Sequence, residues 1–264
     1  MSVLSLLFLF VSCSEKPNDT GDSGETDPIV IDDSGTPEEY TQMTGNLVYA
    51  DGTTIDAGTV RVQMCDIVCM NGTVNGDGSF IFSYLQPGTY AFDVVPLADG
   101  DYATPLDFIE VTEEDIALQT PITIPTFATK AELTMGTVAG DDGLSVDIDP
   151  TTFVPREGAP NDLFFASVSA GSETVPLPLT TLPVEGEIIR VWYLGAFDAH
   201  TTTPWPFRLE GLTDMVGEML HFFNGDLSEK QWIDLGTSIV DENGLVESPD
   251  GIHQLSILVV VREE

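Results

Sequence analysis

The side chains able to carry chemistry here are three cysteines, three histidines and three tryptophans, set among 44 carboxylates. Cys65 and Cys69 have C-x-x-x-C spacing, which departs from the C-x-x-C redox pattern. In an exported chain the pair is expected to close a small disulfide loop. Two other readings stay open. One is a metal pair, although no histidine lies between residues 41 and 126; the other is two free thiols. His200, His221 and His253 are far apart, and no Cys or carboxylate spacing supports a shared metal site. Trp192, Trp205 and Trp232 all fall in the second half. They could stack on sugar rings or fill a core. Trp205, flanked by Pro204 and Pro206, is expected to be the most exposed and is the candidate ligand-binding aromatic. The sequence contains no H-E-x-x-H, G-x-S-x-G, P-loop or dinucleotide fingerprint, so no catalytic residue, metal or cofactor is expected. Asp141-Asp142-Gly143 and Asp241-Glu242-Asn243-Gly244 could hold Ca²⁺ weakly, but they lack the EF-hand spacing and read as turns.

Eight basic residues leave a net charge of −36. Such a polyanion is not attracted to nucleic acid, and anionic membrane surfaces repel it. Residues 14–40 carry nine acids and one base, Lys16, so most of the charge lies beyond them. The apolar share of 42% is ordinary for a folded protein, and the acidity reads as a solvated surface.

The chain begins MSVLSLLFLFVS, an apolar run too short to span a bilayer but suited to a secretory signal. Phe10-Val11-Ser12-Cys13 resembles a bacterial lipoprotein signal, with Phe10 where leucine is usual and no basic residue ahead of the run. The resemblance implies a signal peptide over 1–12, a lipid on Cys13 and, with Ser14 next, export to the outer membrane at its surface or periplasmic face. Residues 13–40 are rich in Asp, Glu, Ser, Thr, Gly and Pro and are expected to form a disordered acidic tether. The membrane would then be a partner through the lipid only.

From residue 41, short β-rich runs alternate with turn dipeptides. The expected strands are 45–50, 59–64, 79–84, 89–95, 106–111 and 121–124, with turns at Asp51-Gly52, Asn71-Gly72, Asp77-Gly78 and Pro87-Gly88. TGNLVYADGTTIDAGTVRVQM and NGDGSFIFSYLQPGTYAFDVVP resemble the carboxypeptidase regulatory-like, transthyretin-like β-sandwich over 41–126. The matching positions are Gly45, Gly58, Val60, Asp77, Gly78, Phe80, Phe82, Leu85, Pro87, Gly88 and Tyr90. The resemblance implies an accessory module and no particular reaction.

Residues 127–264 again suggest strands, at 132–138, 144–148, 163–169, 187–194, 206–210, 218–223 and 254–261. Only 228–232 offers a short helical period. IRVWYLGAFDAHTTTPWPFRLE and QWIDLGTSIVDENGLVESPDG are similar to ZU5-like sandwich repeats, with Trp232, Leu235, Gly236, Asn243 and Gly244 matching and Gly195-Ala196-Phe197 replacing the usual Gly-Pro. The expected fold is therefore all-β, with two antiparallel β-sandwiches. The expected function is non-enzymatic: a lipid-anchored cell-envelope protein with a structural or binding role toward a protein or polysaccharide partner. The competing readings are a carbohydrate-binding surface protein and a small hydrolase or metal-binding protein.

Overall fold

The computed structural model describes residues 40–97, 101–158, 163–171, 174–175 and 177–263. The segment 1–12, Cys13 and the stretch 14–39 lie outside the described residues. From Tyr40 onward the described residues form one compact unit.

The first sandwich contains β1 (Thr41–Tyr49), β2 (Val60–Cys65), β3 (Cys69–Asn71), β4 (Thr73–Val74), β5 (Ser79–Leu85), β6 (Gly88–Pro96), β7 (Leu106–Val111), β8 (Ile116–Ala117) and β9 (Ile122–Ile124). One sheet runs β4-β5-β1, with β8 and then β9 pairing in parallel along the free side of β1. The other runs β3-β2-β6-β7. Alternation shapes β1 and β2. Met43 and Leu47 point inward from β1, and Val60, Val62 and Met64 from β2, while the residues between them are less buried. Phe80 and Phe82 share a face of β5 and meet Phe92 of β6, with ring centroids 5.9 and 6.2 Å away. Gly78 turns the chain into β5 at φ +81°; a Cβ there would lie 2.4 Å from the Leu47 carbonyl oxygen.

The second half forms β10 (Thr129–Glu132), β11 (Gly136–Ala139), β12 (Leu144–Ile148), a 3₁₀ turn (Pro150–Thr152), β13 (Phe153–Val154), β14 (Phe164–Gly171), β15 (Gly186–Gly195), β16 (Ala199–Trp205), β17 (Phe207–Leu209), β18 (Met219–Asp226), β19 (Gln231–Ile239), β20 (Val246–Glu247), β21 (Ile252–Leu255) and β22 (Ile257–Glu263). A six-stranded antiparallel sheet, β10-β14-β15-β22-β18-β19, shares a core with two smaller sheets, β11-β12-β17-β20 and β13-β16-β21. The expected all-β architecture is the one observed.

Three local expectations fail, and one is the strand expected over 254–261, which breaks at Ser256 between β21 and β22 of different sheets. The strand expected over 132–138 is interrupted, because β10 ends at Glu132 and the chain re-enters a different sheet at Gly136, where φ is +118°. The helical period at 228–232 is a turn. Asp226 Oδ1 accepts the backbone N–H groups of Ser228 and Glu229, and β19 starts at Gln231.

The six-stranded sheet is buried on both faces. Trp192, Leu194, Leu258 and Val260 face the core of the second sandwich. Val191, Tyr193, Ile257, Val259 and Val261 on the opposite face join the cluster that holds Phe80, Phe92 and Phe108 of the first. Burial on both faces accounts for the unbroken apolar runs Val191–Leu194 and Ile257–Val261. The hydrophobic core thus continues from one sandwich into the other. Leu177 and Leu179, in the strap between β14 and β15, are buried in it too.

Candidate functional site

Cys65 and Cys69 are joined by a disulfide and are cross-strand partners in the β2–β3 hairpin. The enclosed loop holds Ile67 and Val68 out in solvent, and Asp66 forms an ion pair with Lys230 of the second sandwich.

Trp205 is not exposed, which corrects the expectation drawn from its prolines. It is 1% accessible and lies against Phe153 with centroids 6.0 Å apart. Its Nε1 donates to Thr152 Oγ1 at 2.9 Å. Pro204 and Pro206 mark the end of β16 and the passage to β17, and the indole turns into the core there. It offers no face to a ligand. Trp192 is equally buried and donates to the Asp141 carbonyl at 2.9 Å. Trp232 differs from both: it is half-buried, at the start of β19.

The histidines separate. His221 lies between two carboxylates on the six-stranded sheet. Its Nδ1 is 2.5 Å from Glu263 Oε1 and its Nε2 is 2.7 Å from Asp234 Oδ1. Burial opposes a charged ring, but the bonds to Asp234 and Glu263 outweigh it and hold its pKa above the ordinary value. His200 and His253 instead line one cleft of about 420 Å³, together with Arg156, Asp198, Asp226 and Gln254. Sequence spacing gave no sign of this meeting, because β16, β18 and β21 bring the residues together from across the chain. Gln254 Nε2 donates to Asp198 Oδ1 at 2.8 Å, and His253 Nε2 lies 2.9 Å from Asp250 Oδ2. Burial raises the Asp198 carboxyl, partly opposed by Arg156. The cleft's hydroxyls are committed to backbone and turn contacts: Ser228 donates to Asp226 at 2.6 Å and Thr201 to the Ile252 carbonyl at 3.0 Å. This is a charge-paired, hydrogen-bonding surface. Among the described residues, no three His, Cys, Asp or Glu side chains converge as a metal site.

The turn carboxylates are likewise engaged. Asp141 Oδ2 accepts from the Ser169 amide and hydroxyl, each at 2.8 Å, and Asp142 pairs with Arg190 at 3.0 Å. Asp241 Oδ1 accepts the amides of Asn243 and Leu245 at 2.8 and 2.9 Å.

A second hollow, of about 340 Å³, opens where the two sandwiches meet, between β6–β7 and the start of β19. Thr89, Glu110, Lys230, Gln231 and Trp232 line it, with Phe108 and Thr181 behind. Beneath the junction lie two buried carboxyls. Asp107 accepts from the amides of Phe108 at 2.8 Å and Leu179 at 3.0 Å. Burial still pushes its pKa up to about 7. Asp93 is pushed up to about 7 by burial as well, with Arg61 opposing, and its Oδ1 finds no hydrogen-bond partner among the described residues.

No family model matches the sequence, and no curated protein matches it. Several solved structures are similar in outline. The Bacillus anthracis TIE protein shares 10% identity at a TM-score of 0.27, over 79% of this chain and 43% of its own length. A DUF3823 family protein from Parabacteroides merdae shares 10% identity at a TM-score of 0.25, over 85% of this chain and 98% of its own. A second DUF3823 family protein, from Bacteroides ovatus, shares 9% at 0.25, over 85% and 82%. Likenesses this distant carry no argument about function. Among the described residues, no helix is long and apolar enough to cross a membrane.

Proposed function

We propose that the chain is a non-enzymatic cell-envelope protein, exported and held at the outer membrane by a lipid on Cys13, whose two fused sandwiches present a rigid binding or structural surface. The supporting observation is the hydrophobic core that continues from the first sandwich into the second. Fusion of this kind favours a fixed presentation surface over hinged domains. The acidic exterior keeps such a body soluble beside a membrane that its own charge repels. Fractionation of cells fed a labelled fatty acid tests the anchor. The wild-type chain is expected in the membrane fraction with label, and Cys13→Ser is expected to lose both. A Cys13→Ser chain that keeps the label overturns the reading.

A second reading, carbohydrate binding at the same surface, is favoured by one observation: Trp232 keeps part of its ring in a hollow rimmed by polar side chains, while the other two tryptophans are buried.

A further inference from the structure

Trp232 is held in place by the rest of the fold. Its Nε1 donates to Thr181 Oγ1 at 3.1 Å, and Thr181 Oγ1 donates in turn to the Phe108 carbonyl at 2.8 Å. The Phe108 and Trp232 rings meet edge to face, centroids 5.1 Å apart and planes at 81°. The indole is thus fixed by contacts from the strap and from the first sandwich, and its one polar atom is satisfied within the protein. A tryptophan serving only the core would be buried as completely as Trp192 and Trp205, each 1% accessible. Trp232 is immobilised yet leaves apolar ring surface facing a hollow.

The rim of that hollow is polar. Thr89 and Glu110 stand on the first sandwich, and Gln231 stands beside Trp232 on the second; all three are exposed. A hydroxyl, a carboxylate and an amide are the groups that exchange hydrogen bonds with sugar hydroxyls, and a fixed indole suits the apolar C–H face of a pyranose ring. Charge narrows the class. The ammonium of Lys230 is engaged by Asp66, so the rim has no cation committed to an anionic ligand. The chain's net charge of −36 repels acidic polymers at long range. A volume of about 340 Å³ and a position at a domain junction fit a small-ligand site.

We infer that the junction hollow is a binding site for an uncharged polysaccharide, with Trp232 as the stacking platform and Thr89, Glu110 and Gln231 as the hydroxyl-binding rim. This rests on the carbohydrate reading above and assigns its location.

The test is affinity electrophoresis of the full chain, with titration of tryptophan fluorescence, against amylose, mannan, xylan and soluble β-glucan, with alginate and polygalacturonate as acidic probes. Binding to at least one neutral polymer is expected, weakened about tenfold or more by Trp232→Ala. Glu110→Gln and Gln231→Ala, both at exposed positions, are expected to weaken it severalfold while leaving the melting temperature unchanged. They decide the matter if Trp232→Ala does not fold. Trp205→Phe should leave affinity unchanged. If the wild type binds but Trp232→Ala and both rim variants keep its affinity, the site is wrong and the carbohydrate reading stands. If no neutral polymer binds, or acidic ones alone do, both fall and the anchored-envelope reading is untouched.

Discussion

The amide of Leu179 donates to Asp107 Oδ2 at 3.0 Å, a bond that ties the strap between β14 and β15 to β7 of the first sandwich. Leu177 and Leu179 bury their side chains beside it, in the shared core. A buried carboxyl thus forms one of the seams between the two halves.

That seam is pH-sensitive. Asp107 and Asp93 are both held at about 7 by burial, against 3.8 unfolded. The folded state keeps these protons longer, so their contribution is fully present below about pH 3.8, declines as pH rises, and is gone above about pH 7. Chemical-denaturation midpoints should therefore fall between pH 4.5 and 7.5. Asp93→Asn should flatten that slope and raise stability at pH 8 by roughly 1–3 kcal/mol, because no buried charge then has to form. A slope unchanged by Asp93→Asn would show that other groups control it.

His221 joins three strands through Asp234 and Glu263, and its raised pKa gives a second pH window. The charged staple is fully present below about pH 6.5 and is lost as pH rises through the folded value. NMR titration of the ring should show a midpoint above the ordinary histidine value. His221→Gln should speed amide exchange near the end of β22 and remove this window. A ring that titrates at or below the ordinary value would contradict the staple.

Trp205→Ala should destabilise the second sandwich by about 3–5 kcal/mol, through lost burial and the cavity left beside Phe153. Urea denaturation measures it. A cost below about 1 kcal/mol would mean that the indole is not packed as described.

The Cys65–Cys69 disulfide closes a small loop inside a paired hairpin. Replacing both residues with serine should cost at most about 2 kcal/mol, since short loops lose little unfolded-state entropy. Thiol titration of the unfolded, unreduced chain should find neither cysteine free.

Much of the fold is legible in the sequence, and the reason is local. β1, β2 and the first half of β5 alternate buried and less buried positions around turns, so period and punctuation agree, whereas β6 buries every residue from Tyr90 to Val95. The runs Val191–Leu194 and Ile257–Val261 also read as strands. Periodicity alone does not say that both of their faces are covered, so the fused core is invisible before folding. The prolines at 176, 178 and 183 mark a connection between expected strands, yet that connection delivers Leu177 and Leu179 to the core. The candidate sites are less legible. Prolines beside Trp205 signal a bend but not the direction in which the indole turns. His200 meets His253, and Trp232 meets Phe108, only through pairings distant along the chain.

The placement of β1 has a mechanical consequence. It pairs with β5 along one edge and with β8 and β9 in parallel along the other, so the strand that begins right after residue 40 lies inside its sheet. A tension entering through residue 40 along the strand axis loads both ladders together, in shear. Their hydrogen bonds must then give way collectively instead of peeling one at a time. The fold therefore resists a pull from its N-terminal side better than it would with β1 at an edge.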